Sequence, residues 1–197
     1  MALELLSHHS KGIVFVLSAP AGTGKTTLVR MLTEEFSQVE ESVSFTTRAP
    51  RSGEVDGKDY YFITKEEFAK KIQAGDFLEY AEVFGHYYGT GKQQVERRIG
   101  LGKHVILVID TQGALKLQEM QFSAVYIFLS PPSMQELRDR LSKRKTEGEA
   151  ELNYRLSWAE KEIQQSSHYD YQIVNENLHT AYQILRSILI AEDHKIR

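Results

Sequence analysis

The stretch "VFVLSAPAGTGKTTLV", residues 14–29, joins a short apolar run to an amphipathic one through a turn of small residues. It fits the phosphate-loop pattern G-x-x-x-x-G-K-[ST] at Gly24, Lys25 and Thr26, while Ala19 replaces the first glycine. Small residues at such a turn let successive backbone N–H groups converge on phosphate oxygens at the start of a helix. The stretch therefore predicts a strand, a phosphate-binding loop and a helix, which together begin an α/β fold.

The chemistry of this loop depends on one cation and one hydroxyl group. We expect Lys25 to reach the terminal phosphates of a nucleoside triphosphate and the Thr26 hydroxyl to help hold Mg²⁺. The alternative is a plain turn with a solvated lysine, but strand, loop and helix all fall where the motif requires them. The residues predicted to bind ATP here are Ala19, Pro20, Ala21, Gly22, Thr23, Gly24, Lys25, Thr26 and Thr27.

Beyond this stretch, short apolar runs alternate with segments of helical period. Three runs are predicted as strands buried on both faces, 13–18, 105–110 and 124–130, and 171–175 is predicted as a shorter fourth strand. Three segments carry apolar residues at helical spacing: 26–36, 92–99 and 133–144. Strand, helix and strand repeated in this way predict a parallel sheet covered by helices.

The composition is that of a soluble globular domain. The 197 residues are 41% hydrophobic and 26% charged, and the formal net charge is -3. This balance argues against broad electrostatic adhesion to nucleic acid or to an anionic membrane. The absence of cysteine excludes disulfides, thiolate metal sites and cysteine nucleophiles. With no signal-peptide pattern and no long apolar run, the chain is predicted to be cytoplasmic.

A second stretch, "SFTTRAPRSGEVDGKDYYF" at 44–62, places Arg48 and Arg51 on either side of Pro50. The proline blocks a continuous helix, so the two arginines are expected on an irregular segment. Two guanidinium groups held there can form bidentate hydrogen bonds to phosphate. The alternative is a polar loop in which they form ion pairs with Glu54, Asp56 and Asp59. From the residues alone both interpretations stay open.

Residues 46–62 resemble the guanylate kinase signature T-[ST]-R-x-x-[KR]-x-x-[DE]-x-x-G-x-x-Y-x-[FY] at every specified position. The resemblance continues in "FLEYAEVFGHYYGT", "IDTQG", "RLSKR…YRL" and "IVNENL", and it spans roughly residues 12 to 190. It implies a P-loop NTPase core with a small, mostly β GMP-binding insertion and a helical lid. The expected boundaries within one domain, 1–197, are a core at 1–42, 94–134 and 162–197, an insertion at 43–93 and a lid at 135–161.

The resemblance also implies which residues bind GMP. It implies that the acceptor phosphate is bound by Arg48, Arg51, Tyr60 and Tyr88. It implies that the base is bound by Ser44, Glu79, Thr90 and Asp110. Guanine presents adjacent N1–H and N2–H donors that one carboxylate can accept, whereas adenine would leave a buried carboxylate unmatched. Without the resemblance, Glu79 would be interpreted as an exposed strand carboxylate. For Asp110, which ends a predicted strand, a ligand-binding role and a carboxylate bonded to loop N–H groups both stay open. The family pattern D-I-D reads "VID" here, with Val108 replacing the first acid.

For the donor side, the resemblance implies that lid arginines close over the phosphates of ATP. Arg140, Arg144 and Arg155 lie at the matching positions, and the family's R-G-T becomes Arg144, Lys145, Thr146. The alternative for so charged a helix is a solvated face. The residues implied to be catalytic are Lys25, Arg48, Arg140, Arg144 and Arg155. Asn175 is expected near the donor adenine, and Trp158 is interpreted as a packing residue.

The function implied is an ATP-dependent, Mg²⁺-requiring kinase of GMP, in purine metabolism, with dGMP as a further expected acceptor. No general base is required, because a phosphate oxygen of GMP is already anionic and can attack the γ-phosphorus directly. Two alternatives remain: a related kinase of another phosphorylated acceptor, and a non-catalytic guanylate-kinase-like binding module. The expected partners are ATP and GMP, with a possible homo-oligomer and neither nucleic acid nor a membrane.

Overall fold

The computed structural model describes residues 5–7, 10–143 and 148–196. Its strands are β1 (Val14–Ser18), β2 (Val39–Glu41), β3 (Phe45–Thr46), β4 (Tyr61–Phe62), β5 (Phe77–Val83), β6 (His86–Gly91), β7 (His104–Val108), β8 (Val125–Ser130) and β9 (Tyr171–Val174). Its helices are α1 (Lys25–Glu35), α2 (Lys65–Ala74), α3 (Lys92–Gly100), α4 (Thr111–Glu119), α5 (Met134–Ser142), α6 (Glu149–Gln164) and α7 (Leu178–Asp193). A 3-10 turn at Gln165–His168 follows α6.

The main sheet has five parallel strands in the order β2-β7-β1-β8-β9. Every residue of β1 and of β8 is buried, which is why both read as continuous apolar runs. Side chains of β1 alternate between two apolar layers: Phe15 and Leu17 pack with α1 and α7, and Val14 and Val16 pack on the side of α3 and α4. This confirms the predicted parallel sheet covered by helices.

A second sheet of four strands, in the order β4-β3-β6-β5, occupies the region predicted as an insertion. Two of its pairings are antiparallel, and only β3 with β4 is parallel. The sequence did not predict α2, which packs on this sheet through Phe68, stacked on Phe77 at 4.5 Å between ring centroids. Thr64 and Glu67 form a capping box at the start of α2, so a local helix signal was present.

A third apolar cluster brings α5 and α6 beside the phosphate loop. Leu137 and Leu141 of α5 pack with Leu156 and Ala159 of α6, and Ala21 of the loop lies against them. A side chain added at Gly22 would approach Leu141 to 3.0 Å. The arginine-bearing helices are therefore fixed to the loop by apolar packing. Among the residues described, no helix combines the length and apolarity required to cross a membrane.

A buried histidine and a buried aspartate lie in contact at the amino end of the main sheet's strands. His104, the first residue of β7, accepts a 3.1 Å hydrogen bond at Nδ1 from the Ile13 N–H. Its Nε2 lies 2.9 Å from Asp193 Oδ1 at the end of α7, and both side chains are buried. Asp193 Oδ2 accepts a 2.7 Å hydrogen bond from the Ser7 N–H. These contacts tie the segment before β1 to the last helix, at the amino end of the strands.

Candidate active site

The phosphate loop is shaped by two glycines and held by Asn175. Gly22 and Gly24 have φ values of 89° and 97°, in the left-handed region that side chains rarely adopt. The Asn175 Nδ2 donates a 2.7 Å hydrogen bond to the Thr23 carbonyl, and Asn175 is buried. A Cβ on Gly24 would lie 2.8 Å from that same nitrogen. Asn175 thus supports the loop, while its expected contact with adenine stays a prediction.

Lys25 and Thr26 open α1 directly after this loop. The first N–H groups of a helix have no partner within the helix, so they and the helix dipole favour an anion at this end. The Lys25 ammonium donates a hydrogen bond back to the Ala19 carbonyl and so bends over the loop. Both Lys25 and Thr26 line a cavity, which is where their predicted roles require them to be.

This cavity, of about 260 Å³, is bounded by the phosphate loop, the second sheet, the end of β7 and α6. It brings together eleven of the residues predicted from the sequence, which come from segments far apart in the chain. They are Ala19, Ala21, Lys25, Thr26, Ser44, Arg51, Tyr60, Glu79, Tyr88, Asp110 and Arg155. Residues predicted to bind the donor phosphates and residues predicted to bind the acceptor therefore line a single cavity.

Glu79 is the buried carboxylate of the cavity. It lies on β5, is 7% exposed, and accepts a 2.6 Å hydrogen bond at Oε1 from the Thr90 hydroxyl on β6. Burial, reinforced by the nearby charge of Asp110, raises its pKa to about 7. An exposed strand carboxylate, the alternative to a binding role, is therefore not what the structure contains. Thr90 is completely buried and contributes by orienting Glu79.

Asp110 combines a structural and a cavity-facing position. It precedes α4 and caps it, since Oδ1 accepts a 2.9 Å hydrogen bond from the Gly113 N–H. The capping alternative is thus realised, although Asp110 also lines the cavity beside Val108. Burial raises the pKa of Asp110, and the charge of Lys25 acts in the opposite direction. A Cβ on Gly113 would lie 2.3 Å from Glu79 Oε2, so this glycine makes room for the carboxylate.

Of the two signature arginines, only Arg51 lines the cavity. Arg48 forms a two-pronged ion pair with Glu54, with both N···O distances at 2.9 Å. These hydrogen bonds lower the pKa of Glu54, and the guanidinium group also lies 5.4 Å from the Tyr60 ring centroid. The ion-pair alternative is therefore realised for Arg48. Its contact with an acceptor phosphate stays a prediction.

The predicted lid arginines occupy different environments. Arg140 donates to Glu136 Oε1 at 2.9 Å and to the Asn175 carbonyl at 3.0 Å, so it lies next to the support of the phosphate loop. Arg155 donates to Glu151 Oε1 at 2.9 Å and lines the cavity. Arg144, with Lys145 and Thr146, lies outside the described residues.

Eight further cavity residues had no predicted role there, and three of them carry a large aromatic or a charged side chain: Phe84, Trp158 and Glu162. Burial raises the pKa of Glu162 to about 7, while the positive charge of Lys25 acts to lower it. Its place on a highly charged helix concealed it, because only the packing of α6 over the loop distinguishes it from solvated neighbours. Trp158, the only tryptophan in the sequence, does pack as expected, but beside the cavity.

A metal ion at this site would depend mainly on the substrate. No group of three or more His, Cys, Asp or Glu side chains suited to a metal occurs within 5–7, 10–143 and 148–196. Mg²⁺ in phosphoryl-transfer sites is held by substrate phosphates, water and one or two protein oxygens. The Thr26 hydroxyl at the start of α1 fits that requirement.

Comparison with known proteins gives consistent results. The family described as guanylate kinase matches residues 11–192. A guanylate kinase from Protochlamydia amoebophila is 58% identical over 186 residues, covering 94% of both chains. One from Clostridium perfringens is 47% identical and covers 98% of this chain and 90% of its own length. The crystal structure of guanylate kinase from Anaplasma phagocytophilum, 39% identical, superposes with a TM-score of 0.77 over 98% of this chain and 90% of that one. Because the match spans nearly the whole sequence at this level of identity, the chain belongs to the guanylate kinase family.

Proposed function

We propose that this protein transfers the γ-phosphoryl group of ATP to GMP, giving ADP and GDP, and that dGMP serves as a further acceptor. The observation that carries the proposal is the shared cavity, in which buried Glu79 and the cation Lys25 face the same space. Family membership supports it, since the relatives described above are named guanylate kinases. We propose the cytoplasm as the compartment of this reaction.

On the acceptor side, Glu79 accepts the N1–H and N2–H donors of guanine as a pair. Thr90 holds the carboxylate in place through the 2.6 Å hydrogen bond to Oε1. Adenine presents an acceptor at N1, so AMP would place a lone pair against the buried carboxylate. This mismatch strongly disfavours AMP relative to GMP. Arg51, Tyr60 and Tyr88 provide the donors for the acceptor phosphate, and Ser44 completes this side of the cavity.

On the donor side, the N–H groups at the start of α1 and the ammonium of Lys25 bind the phosphates of ATP. The Thr26 hydroxyl would hold Mg²⁺, which supplies positive charge at the β- and γ-phosphates. Arg155 faces the cavity from α6 and adds a further cation next to the transferred group. Arg140 is placed to support the loop through the Asn175 carbonyl.

The transfer itself then requires alignment and charge neutralisation rather than a general base. The acceptor oxygen is already anionic, so the residues act by bringing two polyanions together in line. Exclusion of water from the cavity when both substrates are bound would protect the phosphoryl group from hydrolysis. The binding-module alternative is not favoured, because Lys25 and Thr26 are both present at the cavity.

The test is an assay of ADP formation from ATP and Mg²⁺ with GMP, dGMP, AMP and UMP as separate acceptors. We expect turnover with GMP and dGMP and none above background with AMP or UMP. Lys25→Ala tests the donor side of the proposal. We expect its kcat to fall by a factor on the order of 10² or more, because an electrostatic contact to the transferred group is lost. Inactivity with GMP, or a Lys25→Ala variant with normal turnover, would contradict the proposal.

A further inference from the structure

The turn that joins β5 to β6 contains a residue that is unusual at this position. Its two turn residues, Phe84 and Gly85, have φ values of 51° and 78°. Two-residue hairpin turns with positive φ at both positions strongly prefer Asn-Gly or Asp-Gly, because a bulky side chain is disfavoured there. Phe84 is also 42% exposed, so it gains little from burial within its own sheet. The hairpin alone therefore gives no reason for a phenylalanine at this position.

The ring of Phe84 instead contacts α6. Its centroid lies 5.7 Å from the Tyr154 ring in a T-shaped arrangement and 5.9 Å from the Trp158 ring. The guanidinium carbon of Arg155 lies 5.5 Å from the same centroid, within the range of a cation–π interaction. Residues 154, 155 and 158 fall on adjacent turns of the helix, so one hairpin side chain meets a continuous patch of α6.

These contacts fix the arginine that faces the cavity. Arg155 is held on one side by the 2.9 Å hydrogen bond to Glu151 and on the other by the ring of Phe84. The side chain is only 15% exposed. Phe84, Arg155 and Trp158 all line the same cavity as Glu79 and Lys25. The orientation of a cation on α6 thus depends on a residue contributed by the sheet that carries Glu79.

We propose that Phe84 is a positioning residue for phosphoryl transfer: it docks the β5–β6 hairpin on α6 and directs Arg155 into the cavity. This inference rests on the proposed function. It explains why an unfavourable residue occupies the turn, since backbone strain at a site is retained where the surrounding contacts serve a purpose. It also joins the acceptor-binding sheet to the helix of the donor side, so that both halves of the site are assembled together.

The decisive variant is Phe84→Asn, because asparagine suits a positive φ and restores the preferred Asn-Gly turn. We expect an unchanged or higher Tm, a GMP KM within about threefold, and a kcat lowered about 3- to 30-fold, as loss of a cation–π contact implies. Phe84→Tyr, which keeps the ring, should have the same kcat as the unchanged protein. Gln121→Asn is the matched control. Exposed Gln121 also has a positive φ, 53°, but does not line the cavity, so the change should leave kcat unaltered.

Two further measurements separate positioning from a general structural effect. In an Arg155→Ala background, Phe84→Asn should lower kcat by less than about twofold, because its effect passes through that arginine. Trp158, the only tryptophan in the sequence, reports the contact directly. In Phe84→Asn its fluorescence should shift to longer wavelength and be quenched more readily by acrylamide, in the absence of any substrate.

The outcomes distinguish this inference from the proposed function. If the unchanged protein does not phosphorylate GMP, the proposed function fails and the positioning role fails with it. If the unchanged protein and Phe84→Asn turn over GMP at equal rates, only the positioning role is overturned. Equal impairment of Phe84→Tyr and Phe84→Asn, or a Trp158 emission that does not respond to the loss of the ring, would also overturn it.

Discussion

Glu79 is the buried carboxylate that we propose selects the base of the acceptor nucleotide. Its pKa of about 7 results from burial, which the hydrogen bond from Thr90 opposes and the charge of Asp110 reinforces. Such a shift means that the folded protein favours the neutral acid over the carboxylate more strongly than the unfolded chain does. The contribution of this group to stability is therefore present below the ordinary pKa of 4.5 and is lost as the pH rises through 7. The proposed pairing with guanine needs the ionised form instead, so at this residue the stability of the fold and the proposed binding of GMP have opposite pH dependences.

The pH dependence of GMP binding follows from this opposition. As the pH falls below 7, Glu79 takes up a proton and loses one acceptor site, so we expect the KM for GMP to rise by up to about tenfold per pH unit. GMP itself titrates near pH 6 through its phosphate, so the comparison requires a control. Glu79→Gln should have a higher KM at pH 8 and a flatter profile between pH 6.5 and 8.5, measured at saturating ATP. Parallel profiles for the two proteins would refute the assignment.

Gly113 provides a second test of the same carboxylate. A Cβ at this position would lie 2.3 Å from Glu79 Oε2, although alanine is otherwise favourable in a helix. We therefore expect Gly113→Ala to displace Glu79 and raise the KM for GMP about tenfold or more, with a much smaller change in the KM for ATP. Gly100→Ala is the control, because a Cβ there meets nothing within 4 Å. A normal KM for GMP in Gly113→Ala would show that the carboxylate does not contact the base.

The pairing of Arg48 illustrates what residue types alone could not decide. The sequence left two interpretations open for the signature arginines. The structure realises the ion pair for Arg48, which bonds to Glu54, whereas Arg51 lines the cavity and its contact with phosphate stays a prediction. The choice depends on backbone direction within an irregular loop, which no periodicity encodes. A cavity position for Glu162 could not be predicted from the sequence for a related reason. Its burial results from the packing of α6 rather than from its neighbours in sequence.

Among the elements, the segment after β9 supports the phosphate loop from outside. The Asn175 amide reaches the Thr23 carbonyl at 2.7 Å, and no other residue type of this size offers a donor in the same place. Asn175→Asp would replace that donor with an acceptor facing a carbonyl oxygen. We expect the KM for ATP to rise several-fold and the free energy of unfolding to fall by about 1–3 kcal/mol, as for loss of a buried hydrogen bond.

The matched control for that substitution lies two residues further on. Asn177 is exposed and caps α7, accepting a 3.0 Å hydrogen bond from the Thr180 N–H. Aspartate caps a helix as well as asparagine does, so Asn177→Asp should leave both the KM for ATP and the stability unchanged. Steady-state kinetics and urea unfolding on the two variants provide the comparison. Equal behaviour of the two variants would argue against a support role for Asn175.

Elements buried on both faces were the ones that the sequence predicted well. The runs at 13–18 and 124–130 correspond to β1 and β8 within a residue, because their apolar composition is continuous. The edge strand β2, with the sequence "VEE", and α2, in which only Phe68 is buried, offered no comparable pattern. The helix α7 was within reach, since its buried apolar residues recur at helical spacing: Ala181, Leu185, Ile188 and Leu189.

At the scale of the whole molecule, the buried contact between His104 and Asp193 joins β7 to α7. Nδ1 of His104 accepts from the Ile13 N–H, so the ring proton is on Nε2, where it faces Asp193 Oδ1 at 2.9 Å. Asp193→Ala removes the acceptor and leaves a buried donor and the Ser7 N–H unmatched. We expect the free energy of unfolding to fall by about 2–4 kcal/mol.

Activity should respond differently from stability in this variant. The pair lies at the amino end of β7, whereas the cavity is formed beyond its carboxyl end, so kcat at 25 °C should remain within about twofold. Glu119→Ala, an exposed acid at the end of α4, is the control for stability. Chemical denaturation and the GMP assay measure the two effects separately. A loss of kcat without a loss of stability would be inconsistent with a purely structural pair.

The position of β1 in the sheet has a consequence for synthesis on the ribosome. This strand is made early, yet its neighbours β7 and β8 begin only at His104 and Val125. At translation rates of roughly 5–20 residues per second, about 4 to 17 s pass between completion of β1 and arrival of its first partner. During that interval the apolar strand and the phosphate loop leave the exit tunnel without the sheet that buries them. We therefore expect the nascent chain to bind a holding chaperone until the middle of the sequence has been translated.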